Sequence, residues 1–338
     1  MKTMRWIAFA LASLVLLAAP AQAAIKYVHP AGGTNWANAS NSNQPATLAT
    51  ANSNVSAGDT VLMYGGTYTD PIAGTNRAGT SYANMITFRS FSGVRDSVQI
   101  NANCGPSASS GNRYSVADSL IRIEHVRFLL EPTGAYYYEK LHRVQFDSCS
   151  WNGRAPWFGE EGSFGCKITN TIDTVTTGGL WAGPGHTARC DSPDFDSTYI
   201  AGSSPDYGWH VRDTLDNVYV RATMTWRTAG QKLIGFNNTS DLVANGLKVY
   251  YRGNDAGAEI GDYKSFFHAY NMQGARFTDC AFDMESYQSG ANVIWGFTMR
   301  DFSKDNVFLR DTISLVNRAG APLYFSMGHG GSCYSGDW

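Results

Sequence analysis

The sequence predicts an all-β fold, a solenoid of the parallel β-helix type, and three observations predict it. From residue 25 onward no stretch shows a long i, i+3, i+4, i+7 apolar pattern, and short alternating apolar runs broken by Gly, Asn or Asp take its place. Several runs share one shape: "NVYVRAT" (217–223), "GLKVYYRG" (246–253), "GARFTDCAF" (274–282) and "NVFLRDTI" (306–313). Aligned on Val220, Val249, Phe277 and Leu309, they recur at spacings of 29, 28 and 32 residues. Earlier copies, "HVRFLL" (125–130) and "RVQFDSCSW" (143–151), centre on Phe128 and Phe146, 18 apart. The third observation is composition: only 16% of residues are charged, while Gly, Asn, Ser, Thr and aromatics abound, as many turns and short strands require.

A unit of two or three short strands cannot bury its own apolar face, but stacked units can. Stacking sets each strand about 4.8 Å from its equivalent in the next unit, in parallel. Inward side chains then form apolar ladders and outward ones meet solvent, which accounts for V-Y-V, L-K-V and R-F-T. A propeller calls for units of about 40 residues with four strands. A sandwich calls for two-residue hairpin signals. "NG" occurs at Asn152-Gly153 and Asn245-Gly246, and the second falls inside the repeat, where a bend between parallel strands is expected.

The first 23 residues stand apart. Lys2 and Arg5 precede an apolar run over 6–19, and "AQA" at 21–23 is a small-x-small cleavage site. This reads as a secretory signal peptide with the mature chain starting at Ala24. The run is shorter than the roughly 20 residues a membrane span needs, and no later stretch approaches that length. The expectation is a secreted or periplasmic, monomeric, single-domain protein over 24–338. A net charge of −2 gives no electrostatic basis for nucleic-acid binding, and no basic run addresses anionic lipid. The six cysteines (104, 149, 166, 190, 280 and 333) show no zinc spacing. A chain this long does not need staples, so buried thiols are expected; the easiest bridges to draw are Cys149–Cys166 and Cys166–Cys190.

The start of the fold is the most specific part. In "VSAGDTVLMYGGTY" (55–68) a strand of about four residues sits between Gly58-Asp59 and Gly65-Gly66, with Val61 and Met63 directed into a core. An open solenoid end exposes strand edges, and a short amphipathic segment at about 45–54, with Leu48, Ala51 and Val55 inward, would cover it. Residues 24–68 thus form an N-terminal cap and first rung. "YVHPAGG" (27–33), "PATLATA" (45–51), "VSAGDTVLMYGGTY" (55–68) and "ITFRSFSG" (86–93) together resemble the N-terminal module of secreted right-handed parallel β-helix proteins, the pectin-lyase-like superfamily. The coils over 95–318 match only as a pattern. The chain stops at "GHGGSCYSGDW" without an obvious terminal cap, so either that cap is irregular or the sequence is a fragment.

The resemblance implies a right-handed parallel β-helix and, in many members, a polysaccharide lyase or hydrolase; others only bind or form surface fibres. Lyase members cleave uronate polymers by β-elimination. A calcium ion held by Asp and Glu, or an Arg, neutralises the uronate carboxylate, and a Lys or Arg takes the C5 proton. The densest matching cluster is "YRGNDAGAEIGDYKSFFHAYN" (251–271). There Lys264 is assigned as base, Arg252 as its helper and His268 as a further catalytic candidate, with Asp255, Glu259 and Asp262 as calcium ligands. The bland alternative is a solvated turn with a local ion pair. A second candidate is a long insertion at 178–212 carrying His186, Arg189, His210 and Arg212, with Asp191, Asp194 and Asp196 able to hold a cation. One further irregular coil is its alternative. "DD" is absent, which counts against the pectinase-type hydrolases. Aromatics such as Trp157, Trp181 and Tyr136–Tyr138 are available to stack on sugars, though core filling accounts for most of them. The expected partner is a polysaccharide, with a non-catalytic glycan-binding or adhesive module as the rival.

Overall fold

The structure, a computed structural model, describes residues 23–70, 72, 79–101, 112–114, 120–129, 136–139, 143–153, 156–160, 164–170, 172–175, 181–182, 191–196, 199–202, 207–209, 214–216, 219–224, 234–237, 241–253, 265–286, 294–300, 303–318 and 323–327. The expected signal peptide over 1–23 falls, but for Ala23, outside them. Among the described residues no helix is long and apolar enough to cross a membrane.

The described strands form three sheets of eleven, ten and nine strands. From the strand Ile86–Ser90 onward, each turn of the chain gives one strand to each sheet. Val243–Asn245 lies in the first, Lys248–Gly253 in the second and Ser265–Tyr270 in the third; Arg276–Thr278 then returns to the first, one rung on. The pairings are parallel, so the chain is a parallel β-helix. Along the first sheet Val61, Phe88, Ile123, Phe146, Ile168, Phe195, Leu215, Ala244, Phe277 and Phe308 occupy one column in register. Ladders of this kind meet in a shared interior. Phe267 from the third sheet lies 6.0 Å from Phe277 of the first and 5.3 Å from Phe282 of the second, and Phe277 stacks on Phe308 at 4.6 Å.

From Ile123 onward the passage from first to second sheet is constant, whereas in the two rungs before it Val61 and Tyr68 lie seven residues apart and Phe88 and Ile100 twelve. Phe146 and Trp151, Ala244 and Val249, Phe277 and Phe282, and Phe308 and Ile313 are each five residues apart, and each pair occupies equivalent columns. The corner residue between them is left-handed: His125, Ser148, Asn170, Gly246, Asp279 and Arg310 have φ of 56, 54, 51, 65, 55 and 58°. That conformation costs a non-glycine residue about 1–2 kcal/mol. It lets the chain turn sharply while its N–H meets the next coil: Ser148 N–H donates to Thr169 O at 2.9 Å, Gly246 N–H to Thr278 O at 2.9 Å and Asp279 N–H to Leu309 O at 3.0 Å.

This geometry corrects two expectations. Val249 pairs with Phe282, whereas Phe277 pairs with Ala244 and Phe308. The sequence alignment set a second-sheet strand over a first-sheet strand, because both present the same short alternation five residues apart. The same slip paired Phe128 with Phe146; Phe146 aligns with Ile123 and Phe128 with Trp151. Residues 178–212 are not a loop insertion. They supply Trp181–Ala182, Asp191–Asp196, Tyr199–Gly202 and Tyr207–Trp209, so one coil runs through them.

At the start, a helix α1 over Leu48–Asn54 covers the stack, with Leu48, Ala51 and Val55 buried. Thr47 caps it, its hydroxyl accepting from Thr50 N–H at 3.2 Å. Gly58, at φ +87°, turns the chain into the first full rung. Asp59 is buried and accepts from Ala24 N–H and Ser56 N–H, both at 2.9 Å, which ties the first strand to that turn. In the coil over 303–311 the corner positions turn polar. Ser303 Oγ, Asn306 Oδ1 and Asp311 Oδ1 accept from Met272, Ala275 and Cys280 N–H at 3.1, 2.9 and 2.7 Å. Burial pushes the Asp311 carboxyl up.

Cys149 and Cys280 are free and buried at equivalent corner positions, so the Cys149–Cys166 bridge drawn from the sequence does not form. Burial pushes both thiols from the ordinary 9.0 up to about 12. The unfolded thiols ionise first, so their contribution is complete below pH 9 and is lost as pH rises toward 12. Chemical unfolding followed against pH is expected to show stability falling above pH 9, with a shallower fall in the Cys149→Val/Cys280→Val variant. Phe277→Ala removes a ring stacked on Phe308 and packed edge-on against Phe236, Phe267 and Phe282, and is expected to cost about 3–5 kcal/mol in urea unfolding.

Candidate functional site

The outer face of the first sheet carries the chemistry that the fold assembles. Residues on either side of the buried column lie on that face, because side chains alternate along a strand. On one side run Arg122, Gln145, Lys167, Asp194 and Thr214, each in register with the next. On the other run Glu124, Asp147, Thr169, Asp196 and Asp216. Adjacent rungs are about 4.8 Å apart, and positions two apart on one strand about 7 Å. Asp194, Asp196 and Asp216 are therefore neighbouring positions, and Lys167 adjoins Asp194.

The described side chains on the upstream rungs bond to one another. Arg122 Nε donates to Gln145 Oε1 at 3.0 Å and its Nη1 lies 3.5 Å from Glu124 Oε1. Asp147 Oδ1 accepts from Ser148 Oγ at 3.1 Å and Asn170 Nδ2 at 3.2 Å. At the adjoining corner Arg95 Nε donates to Ser148 O at 3.1 Å, and the Ser150 hydroxyl donates to Asp96. These bonds pin loop 91–97 against the corner and fix the face where it meets the acidic rungs.

The residues assigned from sequence fall elsewhere. Arg252 lies on the second sheet, in register with Thr223 and Glu285. His268 lies on the third sheet, in register with Gly235 and Thr298. Asp255, Glu259, Asp262 and Lys264, which fall in sequence between their strands, lie outside the described residues. Of the second candidate set, Asp194 and Asp196 sit on the outer face, and Asp191 shares the register of Phe164. His186, Arg189, His210 and Arg212 lie outside the described residues.

Sequence reasoning missed Asp216 and Lys167. The signal was present in "IEHV" and "FDSC", each a buried residue, an outward polar residue and a left-handed corner, and "ITNT", "FDST" and "LDNV" repeat the same sequence pattern. Reading it requires the register first.

Among the described residues with placed side chains no cluster of three His, Cys, Asp or Glu forms a metal site.

No family model matches this chain, and no curated protein matches it. Among solved structures it is similar to a rhamnogalacturonan lyase, with a TM-score of 0.47 and 12% identity over 88% of each chain. It is also similar to pectate lyase Pel9A, with a TM-score of 0.29 and 14% identity over 89% of this chain and 78% of that one.

Proposed function

We propose that this protein is an exported lyase that cleaves uronate-containing polysaccharide by β-elimination, with the outer face of the first sheet as its working surface. The observation that carries this reading is the register of Asp194, Asp196 and Asp216 beside Lys167. Those three carboxylates would hold calcium, which when bound neutralises the substrate carboxylate and so acidifies the neighbouring C–H. Lys167 is the residue assigned to accept the C5 proton. The C4–O bond then breaks, the electron pair leaves with the glycosidic oxygen, and that oxygen takes up a proton. Arg122 and Gln145 hold the adjoining rung in place for a polymer laid along the stack. The set Lys264, Arg252 and His268, with Asp255, Glu259 and Asp262, is the second location for the same reaction.

Absorbance of unsaturated product tests this with pectate, alginate and chondroitin-type polymers, with and without calcium. A calcium-dependent rise is expected on one of them. Lys167→Ala is expected to lower the rate about 100-fold or more, the typical contribution of a proton-transfer group. Asp196→Ala is expected to raise the calcium concentration needed. If Lys264→Ala abolishes the rise and Lys167→Ala leaves it intact, the site belongs to the 251–271 segment. A flat trace from folded protein on every polymer would leave a glycan-binding module in place of the enzyme.

A further inference from the structure

The first three rungs carry a group of rings at the edge of the same face. Tyr64 lies 5.0 Å from Phe91, 6.2 Å from Tyr27 and 6.0 Å from His29, and Tyr27 meets Phe91 edge-on at 5.8 Å. Backbone pairing continues past the strand ends and sets these rings side by side: Tyr64 N–H donates to Val28 O at 2.9 Å and Phe91 N–H to Met63 O at 2.7 Å. Phe91 is 50% exposed, an unusual placement for a large apolar ring within an aromatic group.

Polar groups surround the exposed ring. Tyr64 is held by its hydroxyl, which donates to Ser42 O at 3.0 Å. His29 Nδ1 accepts from Ala31 N–H at 3.0 Å, which leaves the proton of the neutral ring on Nε2. Among the described residues the Tyr27 hydroxyl has no hydrogen-bond partner. Arg89, two residues before Phe91 and exposed, has neither hydrogen bond nor ion pair among them. A rigid, half-exposed aromatic group with outward donors and a guanidinium matches the two faces of an acidic sugar, an apolar ring face and a carboxylate.

Position strengthens the match. Tyr27, Leu62, Arg89, Glu124, Asp147, Thr169, Asp196 and Asp216 follow one another in register along a single outer column. A polymer lying on the acidic rungs and running toward the capped end reaches these rings without leaving the face.

We propose that Tyr27, His29, Tyr64 and Phe91, with Arg89, form a subsite that binds a uronate residue of the polymer at the capped end of the first sheet. The proposal rests on the outer face being the polysaccharide surface, and it adds a place where the chain is gripped far from the bond that breaks.

Affinity electrophoresis of the full chain in gels containing polygalacturonate, alginate or neutral dextran tests it. The wild type is expected to be retarded in one of the acidic gels and not by dextran. Phe91→Ala is expected to weaken that retention about fivefold, as loss of a stacking ring does, and Phe91→Trp to restore it. Arg89→Gln is expected to erase the preference for acidic polymer. Tyr27→Phe, which removes one hydroxyl and keeps the ring, supplies a milder reading should Phe91→Ala fail to fold. No retention of the wild type in either acidic gel, or equal retention of wild type, Phe91→Ala and Arg89→Gln, overturns the subsite. Weakened retention in Phe91→Ala without any unsaturated product supports the subsite and defeats the catalytic reading alone. Product formation with retention indifferent to Phe91 and Arg89 does the reverse.

Discussion

The fixed corner between the first and second sheets is the constraint on which the rest of the structure depends. From Ile123 onward it holds the columns of the two sheets five residues apart whatever happens elsewhere in the coil. The residues that make it, such as Ser148 and Asp279, accept a left-handed backbone, and each gains a hydrogen bond to the coil that follows. The strain is local and small, while the apolar ladders it permits are long. Because the corner does not vary from Ile123 onward, later changes in coil length collect in the other connections, above all between the second and third sheets.

The same constancy builds a surface. A corner that repeats in register forces the residues before it into columns, so one outward residue per coil suffices to make a line of like chemistry. The line changes character along the stack: rings and an arginine at the capped end, mixed bonded pairs at Arg122 to Asp147, then the acidic positions of 194, 196 and 216. Side chains far apart in sequence, Tyr27 and Asp216 among them, become members of one column. An extended polymer is the ligand form that such a surface can meet at several points at once.

Much of this was legible beforehand, and the exceptions have one cause. The cap was readable because its signals are local: Thr47 as a cap residue, Leu48, Ala51 and Val55 at helical spacing, Gly58 at a turn. The solenoid was readable because alternation and repetition survive variation in coil length. Phase was not. Two strands in each coil present similar apolar alternations, so matching Val249 to Phe277 looks as good in sequence as matching it to Phe282. Without phase the 178–212 coil read as a loop, and the register that sets Asp196 beside Asp216 stayed out of view.

The sequence by itself determined that the chain stacks short parallel strands, where the stack is capped, and which alternate residues face inward, because each follows from local propensity and burial. Only the tertiary structure decided which coil lies against which, and hence that Lys167 adjoins Asp194, that Asp196 adjoins Asp216 and that Arg252 and His268 occupy different sheets. The physical reason is that backbone pairing between coils is blind to side-chain identity. Register is set by the interior ladders and the corners together, and neither exists until the coils have stacked.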